Sequence, residues 1–289
     1  MKKNTFFYLL FFCFIFSANF AFAKSPVWKV SKDGHHLFIG GTLHLLTPSD
    51  YPLPPSFDAA YKNSKLLVLE TDLQKFNSPE VQQELLRRAL YTGDQKLTDF
   101  LKSETVQSLE SYLASRGIPL QSVLKFKVGM LSMTLTVLEL ERLGMVGTGV
   151  DAYYGLRALN ENRKVGYLET AYEQINYLSR MGEGNENKFM EYTLNDLKSL
   201  PQQLDSIKKA WKNGDTALLE KVALDSWVYL FPEVYELLVL DRNKNWVPKI
   251  QQMLATKEVE LVLFGALHLA GDDGILAQLE KLGCKIENL

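Results

Sequence analysis

The sequence predicts an α/β protein with a central, mostly parallel sheet. Strand–loop–helix–strand units at both ends of the chain build the sheet, and a large helical middle is inserted between them. Three observations carry this. The 289 residues are 46% hydrophobic and 23% charged, the composition of a globular protein. The two ends repeat one pattern: Leu37 to Leu45 reads LFIGGTLHL, and Leu261 to Leu269 reads LVLFGALHL. Each is an apolar strand running into Gly-x-x-His, then a loop, a helix and a second apolar run, as in a βαβ unit with parallel strands. Between the units, over about 74–160 and 171–255, apolar residues recur at helical spacing.

Residues 1–23 stand apart from the fold. Lys2 and Lys3 precede an apolar run from Phe6 to Phe16, and Ala21-Phe22-Ala23 follows. That order describes a signal peptide cleaved after Ala23. The run is short for a membrane span, which needs about 20 residues. No second stretch is long enough to span, so no stable membrane segment is expected after cleavage. The chain is therefore expected in a bacterial periplasm, or secreted. Cleavage removes Lys2, Lys3 and Cys13 and leaves Cys284 without a partner for an internal disulfide.

Each element has a local cause. Val27–Val30 and Leu37–Gly40 flank Asp33-Gly34, a hairpin turn pair. The Pro-rich stretch Thr47 to Pro55 is a loop, and Phe57 to Asn63 a short helix. Leu66–Leu69 is a continuous apolar run before Glu70, as in a strand buried on both faces. Ser78 and Pro79 form an N-cap and first helical position, followed by Val81, Leu85, Leu86 and Ala89 at helical spacing. Ser103 opens another helix, which Gly117-Ile118-Pro119 closes. Helices are expected over Lys127–Leu143 and Val150–Leu159, and a strand over Val165–Leu168 before Glu169. Helices follow over Tyr172–Met181 and Asn187–Lys212, the latter broken near Pro201. More helices lie around Phe231-Pro232 and over Val247–Leu254. The last unit is a strand over Val259–Phe264, a loop over Gly265–Asp273, a helix over Ile275–Leu282 and a strand over Cys284–Ile286. No Gly-, Ser- or Pro-rich linker divides 24–289, so one domain is expected.

In an open parallel sheet, ligands bind beyond the carboxyl ends of the strands. His44 and His268 follow such ends, and Glu70 and Glu169 close strand-like runs. Two imidazoles and a carboxylate that leave one position open form the ligand set of a catalytic metal. The glycines before each histidine would let the backbone turn sharply or approach a bound group. His35 and His36 flank the hairpin turn and read as surface residues. Arg242 follows a long apolar stretch. There it either clamps a carboxylate or an oxyanion, or caps a helix end. Asp272 or Asp273 is expected to cap the last helix.

Other chemistries are poorly supported. The formal net charge of -2 gives no pull on nucleic acid. There is no Gly-x-Ser-x-Gly elbow and no His-Glu-x-x-His helix. Gly147-Thr148-Gly149 lacks the strand and lysine of a phosphate loop. No feature specifies an oligomer.

The chain resembles the TraB/GumN family, related to the Tiki metalloproteases and the wider erythromycin-esterase/ChaN-like group. The resemblance lies in FIGGTLH (Phe38–His44), LVLE (Leu67–Glu70), GVDAY (Gly149–Tyr153), LET (Leu168–Thr170), Arg242-Asn243 and LFGALHLAGDDG (Leu263–Gly274). It implies an α/β core with a helical middle, and functional positions at Gly41, His44, Glu70, Gly265 and His268. Tiki-like members are metal-dependent peptidases, which implies manganese or cobalt more than zinc.

The expectation is a periplasmic hydrolase that uses a divalent metal (Mn, Co or Zn) on a peptide or small-molecule substrate. His44, His268 and Glu70 would hold the metal, with Glu169 a further ligand or general base and Arg242 an oxyanion stabiliser. The rival expectation is a non-catalytic binding protein that sequesters a peptide, a metal or a haem-like ligand in the same crevice.

Overall fold

The computed structural model describes residues 24–289, so the leader and its cleavage point lie outside the described residues. β1 (Val27–Lys32) and β2 (His35–Thr42) form the hairpin. Asp33 and Gly34 take φ of 50° and 81°, as a two-residue hairpin turn with positive φ at both positions requires. The other strands are β3 (Leu45–Leu46), β4 (Leu66–Leu69), β5 (Gly147–Thr148), β6 (Val165–Tyr167), β7 (Glu260–Gly265) and β8 (Lys285–Asn288). Six of them form one sheet in the order β6-β4-β7-β2-β1-β8, while β3 and β5 pair separately. β6, β4, β7 and β2 are parallel neighbours; β1 is antiparallel to both β2 and β8.

The two repeat units lie side by side. β2 and β7 pair with Gly41 opposite Phe264 and Thr42 opposite Gly265, so both Gly-x-x-His motifs leave the sheet at the same edge. The returning strands part: β4 joins the other side of β7, and β8 takes the far edge beyond β1.

The helices are α1 (Pro55–Asn63), α2 (Leu73–Phe76), α3 (Pro79–Ala89), α4 (Ser103–Ala114), α5 (Val128–Arg142), α6 (Val150–Asn160), α7 (Ala171–Ser179), α8 (Glu186–Lys212), α9 (Thr216–Leu219), α10 (Asp225–Leu230), α11 (Pro232–Tyr235), α12 (Asp241–Leu254) and α13 (Ile275–Lys281). Strand alternation sends successive side chains to opposite faces. Phe38, Leu67, Leu261 and Leu263 pack with the helical middle, including Leu131, Tyr154 and Trp211. Ile39, Val68, Val262 and Phe264 pack with Trp246, Val247 and Ile250 of α12 and Ile275 and Leu279 of α13. The central strands are therefore apolar on both faces, which is why they read as continuous apolar runs. Among the described residues no helix is long and apolar enough to cross a membrane.

Three local expectations are corrected. α8 runs unbroken through Pro201. The proline is exposed and forfeits one helical hydrogen bond, and the buried Leu194, Leu197 and Leu200 hold the helix together across it. α12 begins at Asp241 rather than Val247 and follows directly on a π-helical turn, Glu236–Leu240. Arg242 thus lies in the first turn of α12 and caps no helix end. Gly274, not an aspartate, is the N-cap of α13, and no side chain caps it. The Asp273 carbonyl instead accepts from Asn243 Nδ2 and Gln278 Nε2.

At the opposite end of β7, Glu260 is 3% exposed and its Oε2 has no hydrogen-bond partner. Burial pushes this carboxyl up to about 7 from the ordinary 4.5. A group raised in the folded state contributes full stability below its unfolded pKa, and that stability is lost as pH rises through the folded value. Between about pH 5 and 8 the wild type should lose roughly 1–3 kcal/mol of unfolding free energy relative to Glu260→Gln. Urea denaturation at both pH values measures this, and parallel responses of the two proteins would contradict it.

Candidate functional site

Parallel strand direction places four side chains at one edge. His44 follows the end of β2, Glu70 follows Leu69 of β4, and Glu169 lies two residues beyond β6. His268 is carried on a 3-10 turn, Ala266–Leu269, directly after β7. The Leu168 and Glu169 amides both donate to the Glu70 carbonyl, at 3.1 and 2.8 Å, which fixes the two carboxylate-bearing residues side by side.

Arg242 comes to these residues from the helical layer, and all five of its N–H donors are used. Nε and Nη2 hold Glu169 in a bidentate pair at 3.0 and 2.7 Å. Nη2 also donates to Glu70 Oε2 at 2.6 Å. Nη1 lies 3.1 Å from His268 Nε2 and 3.4 Å from the Leu238 carbonyl in the π turn. The guanidinium carbon stands 4.5 Å from the centre of the buried Trp246 ring. Burial works against this cation, but the Glu70 and Glu169 carboxylates outweigh it and raise its pKa. Burial would raise Glu70 too, yet Arg242 and then the two histidines pull it down to about 2. Glu169 is raised, mainly by burial, against the opposing pull of Arg242.

The histidines differ in charge and agree in orientation. His268 is 5% exposed, and burial followed by the Arg242 charge lowers it to about 3. Its Nδ1 lies 2.7 Å from Asn243 Oδ1. Arg242 can only donate, so Nε2 is the acceptor and Nδ1 carries the proton. His44 has a 63% exposed side chain, with Nδ1 3.1 Å from Asp151 Oδ1 in the first turn of α6. The Asp151 charge, above all, raises it to about 9.

The two glycines serve space rather than unusual backbone, since neither is among the residues with positive φ. The Gly265 amide donates to Glu70 Oε1 at 2.7 Å. A Cβ there would stand 3.3 Å from Glu70 Oε1 and 3.8 Å from both His44 Nε2 and His268 Cδ2, so three side chains close on one face of Gly265. A Cβ on Gly41 would meet Leu269 Cδ1 at 2.7 Å and Ala266 at 3.2 Å. The Gly41 carbonyl accepts from Trp211 Nε1 at 2.8 Å. Gly41 therefore positions the turn that carries His268. The structure thus brings together His44, Glu70, Glu169, Arg242, Gly265 and His268.

It also adds residues for which sequence reasoning gave no role. Asp151 and Asn243 orient the imidazoles, Gln174 Nε2 lies 3.2 Å from Glu70 Oε2, and Trp246 backs the arginine. Asp151 and Asn243 stand inside quoted motifs, but no local pattern links them to histidines 107 and 25 residues away.

Among the described residues no group of three or more His, Cys, Asp or Glu side chains is arranged to hold a metal ion. In this arrangement Arg242 engages the lone pair of His268 Nε2 and one oxygen of Glu70. The donor chemistry nevertheless fits a divalent ion. Both imidazoles face a fixed oxygen through Nδ1 and turn Nε2 toward the crevice, the arrangement that orients metal-binding histidines, although His44, raised to about 9, would have to release its Nε2 proton to bind an ion.

Fold and site define a class: an α/β protein whose polar centre is built from paired Gly-x-x-His motifs at the carboxyl edge of a parallel sheet. The chain belongs to the TraB/PrgY/gumN family, whose model matches residues 26–288. It is similar to the uncharacterized protein YbaP of Escherichia coli (strain K12), at 22% identity over 252 residues, covering 86% of this chain and 90% of that protein. The YbaP protein of Shigella flexneri matches to the same extent, 22% over 252 residues. No solved structure matches the chain.

Replacing Asp151 with Asn removes the charge that raises His44. The His44 pKa, followed by ring C–H chemical shifts in metal-free protein, should fall from about 9 toward the ordinary 6.5. An unchanged titration would show that Asp151 does not set it.

Proposed function

We propose that the chain is a metal-dependent hydrolase of peptide or amide bonds that works outside the cytoplasm, in the periplasm or as a secreted protein. One observation carries the chemistry: His44 and His268 are each oriented through Nδ1 by a fixed oxygen and direct Nε2 toward the crevice that Glu70 enters. The leader-like residues 1–23 support the location.

In this reading His44, His268 and Glu70 would hold a manganese, cobalt or zinc ion. Such an ion, when bound, supplies a bound water of lowered pKa and polarises a carbonyl. Glu70 is already ionised, and the Gly265 amide fixes one of its oxygens. Asp151 and Asn243 keep the imidazoles in the orientation that offers Nε2. Glu169, raised by burial and held in place by Arg242, is the proton acceptor, through a lone pair that the arginine leaves unused. Arg242 is the oxyanion donor. With five N–H groups engaged it must release one to act, and its longest bond is the 3.4 Å contact to the Leu238 carbonyl.

Elemental analysis of anaerobically purified residues 24–289 should find a divalent metal that His44→Ala and His268→Ala abolish without altering circular dichroism. Undiminished metal in both variants would sink the assignment. Glu169→Gln should keep the metal and lose roughly 100-fold or more in cleavage of a peptide library. Metal binding without cleavage by any variant would favour the sequestering protein instead.

A further inference from the structure

We propose that Arg242 is a resident cation that occupies the place of the divalent ion and is exchanged for it. The proposal rests on the metal-site reading above and adds how that site is kept when empty and how it is armed.

The argument begins with a count of lone pairs. The neutral His268 ring carries its proton on Nδ1, facing Asn243 Oδ1 at 2.7 Å. It has one acceptor lone pair left, on Nε2, and Arg242 Nη1 holds it at 3.1 Å. A metal ion and Nη1 cannot share that lone pair, so the two states exclude each other. Glu70 Oε2 is likewise engaged by Nη2 at 2.6 Å.

The remaining contacts make the exchange feasible. The bidentate pair with Glu169 uses Nε and Nη2 and involves neither proposed ligand. Arg242 can therefore give up His268 and Glu70 and stay anchored on Glu169. With the cation gone altogether, Glu70 and Glu169 would face each other in a buried crevice, where two carboxylates cannot both remain ionised cheaply. In the empty protein Arg242 supplies the cation that keeps the pair from repelling. The exchange also leaves Nη1 with a free N–H, the donor that the oxyanion role lacks in the resting arrangement.

Two measurements test this. Equilibrium dialysis with Mn²⁺ alone should show Arg242→Met binding roughly tenfold or more tightly than wild type. Lys249→Met removes a nearby positive charge that donates to the Leu168 carbonyl and holds neither His268 nor Glu70, so it should leave Mn²⁺ affinity within about twofold of wild type. An equal gain in Lys249→Met and Arg242→Met would mark a general charge effect and overturn the proposal. Wild-type NMR needs no substitution and covers the case in which Arg242→Met fails to fold. On saturation with diamagnetic Zn²⁺, the Arg242 Nη1 protons should pass into fast solvent exchange while the Nε proton stays protected. Arg242 signals unchanged at Zn²⁺ saturation would overturn the exchange while the metal site stands. Absence of Mn²⁺ and Zn²⁺ binding in both proteins would remove the metal-site reading itself, and the exchange with it.

Discussion

Glu70 and Glu169 stand at neighbouring strand ends, tied together through the Glu70 carbonyl, and both are buried. Two carboxylates so placed repel when both are ionised, and a cation between them relieves that repulsion. Arg242 supplies it, and the rest of the architecture follows from that need. The counter-ion comes from the helical segment between β6 and β7. The long segment from α7 to α12 brings one arginine back over the strand ends. Removing one partner from such a buried pair costs about 3–5 kcal/mol. The arginine is thus a condition of the fold at this edge.

The parts of the site that strand periodicity controls were legible in the sequence. The two GxLHL-ending runs read as equivalent strands, and β2 and β7 are indeed neighbours that release both histidines on one side. Glu70 and Glu169 were legible as charges that close apolar runs. The second layer was not. Asp151 and Asn243 meet their histidines only because α6 and α12 pack where they do, and a tertiary contact across 107 residues leaves no local trace. Pro201 misleads for a related reason: its cost is local, while the burial that offsets it lies in the packing of Leu194, Leu197 and Leu200. The capping aspartates misled too, because Gly274 lets the chain enter α13 with the Asp273 carbonyl turned to Asn243.

Adjacent residues on one helix do two jobs through a single imidazole. Arg242 and Asn243 are consecutive, so their side chains leave α12 about 100° apart. The π turn just before them supplies the Leu238 carbonyl that takes one arginine N–H. Asn243 fixes the proton of His268 on Nδ1, and that choice creates the lone pair on Nε2 that Arg242 then holds. Exchanging the functions of the two residues would fail, since an amide cannot neutralise two carboxylates and a guanidinium cannot accept the Nδ1 proton. Arg-Asn is therefore a pair whose order has a physical reason.

The same saturation decides how affinity at this edge is to be interpreted. A crevice whose donors and acceptors are matched to one another is stable without a ligand, so any incoming cation gains only the difference between its own contacts and those of Arg242. On the metal-site proposal, affinity for a divalent ion would then be lower than the donor set alone suggests, in proportion to the population of the arginine-bound state. Weak binding by the wild type, taken alone, would measure that competition rather than the quality of His44, Glu70 and His268 as ligands. The half-open His44 and the buried His268 should also respond unequally. His44 is held by Asp151 alone and remains 63% exposed, whereas His268 is released only when Arg242 moves. On the metal-site proposal, capture of an ion would therefore require a proton to leave His44 and the arginine to leave His268, two separate steps.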